Sequence, residues 1–149
     1  MSLNDLYQEL IIDHSKRPRN YGSLEDATHC CDGHNPLCGD AVTVYIKVED
    51  GVVVEAKFEG NGCAISTASA SMLTEAVRGK TVAEVEALFE SFRRALTDSG
   101  ADPGPEVDLG SLESLRGVKE YPMRVKCATL PWHTLHAALI RQSEPTSTE

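Results

Sequence analysis

The strongest constraint on the fold is a pair of β-branched segments joined by a short turn. AVTVYIKV (41–48) and VVVEAKFEG (52–60) flank the turn Glu49-Asp50-Gly51. An Asp-Gly step accepts the positive φ angles of a tight hairpin, and runs rich in Val, Ile, Tyr and Phe favour strands. The sequence therefore predicts an antiparallel hairpin, and THCCDGHN (28–35) is a candidate short strand that precedes it.

Helical patterns lie on both sides of this hairpin. Apolar side chains recur on one helical face over residues 3–15. AISTASASMLTEAVRG (64–79) is interpreted as a helix that Gly79 ends, because glycine accepts the left-handed conformation common after a helix. Thr81 and Glu84 form the capping box T-x-x-E, which predicts the start of a further helix.

The C-terminal third combines polar connectors with one more helix. TDSGADPGPEVD (97–108) is interpreted as a connector because it is polar and rich in Pro and Gly, and DLGSLESLRGV after it predicts one or two helical turns. Thr129 and Pro131 are interpreted as the N-cap and an early-turn proline of the last helix. The polar end, about 142–149, is predicted to be a frayed tail.

Length and pattern together predict a single α+β domain over 1–149. The chain has 149 residues, of which 41% are hydrophobic, and this is enough to bury a core. We expect a small antiparallel sheet of about three strands packed against helices. No internal repeat or second domain is evident in the sequence.

Charge and hydropathy exclude several classes of partner. The formal net charge is -9 and the pI is about 5.0, so nucleic acid and anionic membranes are not expected as partners. No apolar run approaches the roughly 20 residues of a membrane span. The N-terminus has no basic segment of the kind found in signal peptides. We therefore expect a cytoplasmic protein whose thiols remain reduced.

The five cysteines point to metal binding or catalysis. They are Cys30, Cys31, Cys38, Cys63 and Cys127, and an odd number in a cytoplasmic chain argues against a disulfide framework. Three of them are expected at element boundaries: Cys38 before a strand, Cys63 at the start of a helix and Cys127 just before the last helix. Boundaries of this kind gather at one end of a sheet.

A carboxylate completes a candidate metal site at that end of the sheet. Asp40 stands two residues after Cys38, and residues i and i+2 of an extended chain point to the same side. Cys63 gains from the predicted helix after it, because free N–H groups favour a thiolate there. Three thiolates and one carboxylate, from Cys38, Asp40, Cys63 and Cys127, fit a tetrahedral Zn²⁺ ion.

Two other interpretations of the cysteines remain open. Cys30, Cys31, His34 and Cys38 form a local alternative site, although adjacent residues of a strand point to opposite faces. Buried cysteines also serve as small hydrophobic residues, which suits one of Cys30 and Cys31 better than the glycine-flanked cysteines.

The histidines favour structural roles. His14 is interpreted as a favourable positive charge at the end of the first helix. His29 and His34 are expected in a strand or loop. His133 and His136 lie three residues apart on the last helix, where a packing or surface role is favoured over metal binding.

Four motifs in order resemble a known family. DHSKRPRNYG, NPLCGD, FEGNGCAISTASASML and RVKCATLPW resemble the U-type iron–sulfur cluster assembly proteins (NifU N-terminal or IscU-like), from about residue 5 to 141. The resemblance implies a small antiparallel sheet packed with helices, with a metal site at one end. It strengthens the convergence of the three distant cysteines.

Two departures resemble the SufU branch of this family. The scaffold branch carries a histidine where this chain has Lys126, and it lacks the segment GPEVDLGSLESLRGVKEYP. The resemblance implies tightly held zinc and a role as sulfur acceptor for a SufS-like cysteine desulfurase, upstream of other iron–sulfur assembly proteins. The alternatives are a scaffold that binds iron or a [2Fe-2S] cluster at the same ligands, and a purely structural zinc protein.

The resemblance also implies residue roles. Cys38 would be the catalytic thiol that attacks the persulfide, after the docked desulfurase supplies a replacement zinc ligand, while Cys63 and Cys127 keep the metal. Arg124 and Lys126 are possible auxiliary residues that steer the partner or its sulfur. Lys16–Asn20 and the loop around Trp132 are candidate docking segments.

Overall fold

The structure, a computed structural model, describes residues 3–36, 39–97, 109–140 and 146–147. Its elements follow in chain order: α1 (Leu3–Lys16), β1 (His29–Asn35), β2 (Asp40–Glu49), β3 (Val52–Asn61), α2 (Ala64–Val77), α3 (Val82–Thr97), a 3₁₀ helix (Gly110–Glu120), α4 (Pro122–Leu139) and β4 (Thr146–Ser147).

Three antiparallel strands form the body of the sheet, as the sequence predicts. The strand order is β3-β2-β1-β4, and β1, β2 and β3 pair antiparallel to their neighbours. Asp50 and Gly51 have φ angles of 52° and 77°, so the hairpin turn has the positive φ values that favour Asp-Gly. Helices pack against this sheet, which confirms the α+β class.

One face of the sheet packs against α2 and α4 to form the core. Along β2 the side chains of Val42, Val44 and Ile46 are buried while those between them are more exposed. This period of two places every second residue against the helices. Trp132 lies inside α4 and is completely buried in this core. The prediction that a loop around Trp132 serves as a docking segment is therefore wrong.

The ends of the middle helices follow their sequence signals. Gly79 has a φ angle of 82° directly after the end of α2. At the start of α3, the Thr81 N–H donates to Glu84 Oε1 at 2.9 Å, and the Glu84 N–H donates to Thr81 Oγ1 at 3.1 Å. These reciprocal bonds confirm the capping box.

The predicted start of the last helix is wrong. α4 begins at Pro122, with Tyr121 as the N-cap, and Pro131 lies inside the helix. Thr129 Oγ1 donates to the Val125 carbonyl at 2.9 Å, one turn earlier, and therefore does not cap an N-terminus. Proline is also favoured at the first helical position, and Pro122 carries that signal. The preceding 3₁₀ helix has 11 residues, more than the predicted one or two turns.

The structure describes only parts of the predicted connector and of the predicted C-terminal tail. Residues 98–108 of the predicted connector lie outside the described residues. Within the predicted tail, about 142–149, Thr146–Ser147 form β4, which pairs parallel to Gly33 and His34 of β1, and the other residues of this segment lie outside the described residues. In the described part of the chain, no helix has the length and apolar character to cross a membrane.

Candidate metal centre

Three of the four predicted ligands meet at one end of the sheet. One ligand atom from each of Asp40, Cys63 and Cys127 lies within 4.8 Å of the other two. These residues come from the start of β2, the start of α2 and the interior of α4. The fourth predicted ligand, Cys38, lies outside the described residues.

Asp40 is a buried carboxylate at the first position of β2. Its partner across the sheet is Asn35, the last residue of β1, and Gly39 before it has a φ angle of 74°. Only 2% of the Asp40 surface is exposed. A buried carboxylate requires hydrogen bonds or a cation, so its surroundings decide what it can bind.

Cys63 is held at the N-cap of α2 by two contacts. Its backbone N–H donates to Asp40 Oδ1 at 2.8 Å, and its thiol accepts the Ser66 N–H at 3.4 Å. The second carboxylate oxygen, Asp40 Oδ2, lies 3.9 Å from Cys63 Sγ. Cys63 therefore lies at the start of a helix, as the sequence predicts.

Cys127 projects from α4 rather than from the residues before it. The prediction that it precedes the last helix is wrong, because α4 starts five residues earlier, at Pro122. Cys127 is only 3% exposed. The Ser69 hydroxyl of α2 donates to the Ala128 carbonyl at 2.5 Å, and this bond holds α4 against α2 beside the cysteine.

The separation of these side chains fits a tetrahedral metal ion. Ligand atoms at about 2.0–2.3 Å from a tetrahedral zinc lie roughly 3.3–3.8 Å from one another. The observed separation of 3.9 Å between Cys63 Sγ and Asp40 Oδ2 is close to this range, and thiolate with carboxylate is a ligand set that zinc accepts. The group formed by Asp40, Cys63 and Cys127 can therefore hold a metal ion.

Three residues of the local alternative site, Cys30, Cys31 and His34, form no metal-binding group among the described residues, and the fourth, Cys38, lies outside them. On β1 the side chains of Cys30 and His34 lie on the exposed face, whereas Cys31 points to the buried face. Burial, and next the Asp32 carboxylate, raise the pKa of the Cys30 thiol, which disfavours the thiolate that a metal needs. Cys31 is 7% exposed, in agreement with the interpretation that one of the pair serves as a hydrophobic residue.

His14 is buried, and its predicted role as a helix-terminal charge is wrong. The Ser71 hydroxyl accepts the Arg19 N–H at 2.8 Å and shares a hydrogen bond of 2.7 Å with His14 Nδ1. Burial, and next the Arg19 charge, lower the pKa of His14. The neutral ring therefore connects α1 to α2, and Glu75 lies 3.8 Å from Nε2 on the other side.

The histidines of α4 have packing and surface roles, as predicted. The His133 ring packs edge-on against Phe89 with a centroid distance of 5.1 Å, and burial lowers its pKa. His136 Nδ1 lies 3.0 Å from Glu86. The metal-binding group that the described residues form includes neither histidine.

The two basic residues before Cys127 lie at different depths. Arg124 is exposed and lines a groove between α1, the 3₁₀ helix and α4, whereas Lys126 is partly buried. Arg124 precedes Cys127 by three residues, so both lie on the same side of α4. This position is compatible with the predicted auxiliary role of Arg124, which stays a prediction, as does that of Lys126.

Several supporting residues carry no strong sequence signal. Tyr21 holds the end of β3, where its hydroxyl donates to the Gly60 carbonyl at 3.0 Å. Ser69 and Ser66 support α4 and the Cys63 thiol through the bonds given above. The contact from Ser66 is a backbone N–H, which any residue except proline would supply, so only the N-cap position of Cys63 could have indicated it in advance.

Most of the chain matches a known protein family. Residues 6–128 match the family described as NifU-like N terminal domain. The chain is 40% identical over 141 residues to a protein of Bacillus subtilis (strain 168) named zinc-dependent sulfurtransferase SufU, with 95% of this chain and 94% of that protein covered.

Relatives with a different functional name match equally well. The chain is 43% identical over 140 residues to the iron–sulfur cluster assembly scaffold protein IscU of Thermotoga maritima, with 94% of this chain and 96% of that protein covered. A crystal structure from Fervidobacterium islandicum AW-1, described as an iron–sulfur cluster assembly scaffold protein for the SUF system (FiSufU), superposes with a TM-score of 0.79. It is 39% identical, and 93% of this chain and 99% of that chain are covered.

Proposed function

The chain belongs to the family of NifU-like N-terminal domains, and from this premise we propose that it is a zinc-dependent sulfur-transfer protein in iron–sulfur cluster assembly. It accepts persulfide sulfur from a partner cysteine desulfurase of the SufS type and passes the sulfur to downstream assembly proteins. The convergence of Asp40, Cys63 and Cys127 within 4.8 Å is the observation that carries this proposal. A cytoplasmic location suits it, because the thiols must stay reduced.

The proposed zinc ligands are Cys38, Asp40, Cys63 and Cys127. Cys38 is two residues before Asp40 in the sequence, and two residues of extended chain span at most about 7 Å. The covalent chain therefore limits how far the fourth sulfur can be from the other three ligands. When bound, zinc would keep these thiols deprotonated at neutral pH and protect them from oxidation.

Cys38 is the proposed catalytic thiol because its place in the chain differs from that of the other two sulfurs. Cys63 is fixed at the start of α2 and Cys127 within α4, so both sulfurs are suited to keep the metal. Cys38 lies in the sequence between Asn35, the last residue of β1, and Asp40, the first residue of β2. Cys63, Cys127 and Asp40 would then remain as the anchored part of the ligand set.

The transfer step is a thiol–disulfide type of exchange. The Cys38 thiolate attacks the outer sulfur of the desulfurase persulfide, a new S–S bond forms on Cys38, and the old S–S bond breaks. The desulfurase cysteine leaves as a thiolate, so no external oxidant or reductant is needed. The exposed Arg124 is suited to attract an anionic persulfide, which is its proposed auxiliary role with Lys126.

A second candidate function is an assembly scaffold, where iron or a [2Fe-2S] cluster is cargo on the same ligands. The observation that favours it is the 43% identity to a protein named as an IscU scaffold. Lys126 counts against it, because the resembling scaffolds have a histidine nitrogen ligand at that position. Elemental analysis separates the two: the transfer protein purifies colourless with zinc, and the scaffold purifies coloured with iron and sulfide.

A desulfurase assay tests the transfer step itself. The protein is mixed with a SufS-type desulfurase and free cysteine, and alanine production is measured together with the mass of persulfidated protein. We expect the parent and Cys30→Ala to accelerate turnover and to gain one sulfur, and Cys38→Ala to do neither. A parent that leaves turnover unchanged, or a Cys38→Ala variant that behaves like the parent, would contradict the proposed transfer step.

A further inference from the structure

We propose that Gly62 is a positioning residue for the metal centre. Its lack of a side chain leaves room for the Cys63 backbone N–H to hold one oxygen of Asp40, so that only the other oxygen faces the thiol groups. This inference rests on the proposed function, because it concerns how Asp40 is presented to the zinc of that site.

Space, rather than backbone conformation, explains the glycine at position 62. The φ angle of Gly62 lies outside the left-handed region, in contrast to Gly60 at 143°. A Cβ atom at position 62 would lie 3.1 Å from Asp40 Oδ1 and 3.2 Å from both Cβ and Oγ of Ser66. Contacts this short require a neighbour to move by a few tenths of an ångström.

The atom in the way of that Cβ is the oxygen that the Cys63 N–H holds. Asp40 Oδ1 accepts this N–H at 2.8 Å, and Oδ2 lies 3.9 Å from Cys63 Sγ. The two oxygens therefore have different surroundings: one is bonded to backbone, and the other is directed at the thiol. Asp40 is 2% exposed, so solvent offers little freedom for another arrangement.

The consequence is that a side chain at position 62 turns the carboxylate although it replaces none of the sulfur ligands. If Oδ1 moves away, the hydrogen bond to the Cys63 N–H weakens and Oδ2 changes its direction toward the metal. Groups that orient a metal ligand commonly contribute about 10- to 100-fold in metal affinity. Gly62→Ala should therefore resemble loss of such a supporting group rather than loss of a ligand.

Substitution with Co²⁺ provides a readout that is independent of sulfur transfer. In Gly62→Ala we expect a changed visible d–d spectrum, because the oxygen ligand has moved, with an unchanged thiolate-to-cobalt charge-transfer band. Zinc affinity, measured by competition with a chelator, should fall about 10- to 100-fold. The matched control is Gly117→Ala, because a Cβ there meets nothing within 4 Å; it should match the parent in both measurements.

A second variant separates positioning from general damage to the fold. In Gly62→Ala with Ser66→Gly, the two contacts to Ser66 are removed while the contact to Asp40 Oδ1 and the Ser66 backbone N–H are kept, so the d–d spectrum should still differ from that of Ser66→Gly alone. A merely structural role would lower the melting temperature of Gly62→Ala and leave its cobalt spectrum unchanged, and this result would overturn the proposal. A double variant with the spectrum of Ser66→Gly alone would assign the effect to Ser66 rather than to Asp40 and would also overturn it.

The experiment distinguishes this inference from the proposed function. If the parent binds no Co²⁺ through thiolates, the proposed metal centre fails and the role of Gly62 fails with it. If the parent shows the charge-transfer band and Gly62→Ala has the same spectrum and the same zinc affinity, only the role of Gly62 is overturned.

Discussion

The two described pairs of cysteines have opposite arrangements. Cys30 and Cys31 are neighbours in sequence but lie on opposite faces of β1, one exposed and one buried. Cys63 and Cys127 are 64 residues apart in sequence, yet their sulfurs lie within 4.8 Å of each other and of the Asp40 carboxylate. Neighbouring positions on one strand therefore place the first two thiols on opposite faces, whereas the packing of α4 against α2 brings the second two together.

The chemical surroundings of the two pairs also differ. Burial and the Asp32 carboxylate raise the pKa of Cys30 and favour its protonated form. Cys63 lies at the start of α2, where its sulfur accepts the Ser66 N–H. A metal ligand must be a thiolate, so the raised pKa of Cys30 disfavours a site on β1, whereas Cys63 and Cys127 have the geometry that a metal requires.

The largest expected effect is the loss of zinc from the convergent pair. Cys63→Ala and Cys127→Ala each remove a ligand, so zinc affinity should fall by more than the about 100-fold that loss of a supporting group causes. The measurement is zinc content after purification, with affinity from chelator competition. Cys30→Ala and Cys31→Ala are the matched controls and should keep their zinc; zinc loss in either would support the local site on β1.

A smaller effect is expected at the oxygen ligand. Asp40→Ala should weaken zinc binding less than Cys63→Ala does, because thiolates bind zinc more strongly than a hard carboxylate. Isothermal titration of both variants with zinc at one pH provides the comparison. Equal losses would mean that the hydrogen bond from the Cys63 N–H to Asp40 matters as much as the sulfur.

The exposed cysteine of β1 allows a finer test of its electrostatics. Since a raised pKa reduces the thiolate fraction at pH 8, Cys30 should react with iodoacetamide more slowly than an unperturbed thiol. Asp32→Asn removes one cause and should accelerate the reaction a few fold. Peptide mapping gives the rate at Cys30. Asp50→Asn, at the distant hairpin turn, should leave that rate unchanged; if both variants react alike, Asp32 is not a cause.

The smallest effect concerns the pH dependence of stability, through His14. Because burial lowers the pKa of His14 below 6.5, the unfolded chain binds its proton first, and stability should fall as the pH decreases through about 6.5. His14→Gln should reduce this slope in denaturant titrations between pH 7.5 and 5.5. Equal slopes in the parent and in His14→Gln would contradict the buried, neutral ring.

Local signals in the sequence were sufficient for much of the fold. Asp50-Gly51 predicted the hairpin, Thr81 with Glu84 predicted the start of α3, and Gly79 predicted the end of α2. In each case the side chain or its absence determines the backbone within a few residues, so no tertiary information is required. The choice of Asp40 and Cys63 as neighbours followed from the same local signals, because each lies at the start of an element.

The failures lie where tertiary packing overrides a local signal. Pro131 looked like the start of a helix, but α4 continues through it because Trp132 and its neighbours are buried against the sheet. His14 looked like an exposed helix terminus, but the segment after it folds back onto Ser71. The close approach of Gly62 to Asp40 has no local signal in the sequence, because it depends on how α2 meets β2.

Zinc K-edge X-ray absorption of the purified protein tests the central claim most directly, because it counts the sulfur atoms bound to the metal. The account predicts a first shell of three sulfurs at about 2.3 Å and one oxygen at about 2.0–2.2 Å. One sulfur should be lost in Cys63→Ala or Cys127→Ala, and none in Cys30→Ala or Cys31→Ala. A shell without sulfur, or one that loses sulfur only when Cys30 or Cys31 is replaced, would contradict it.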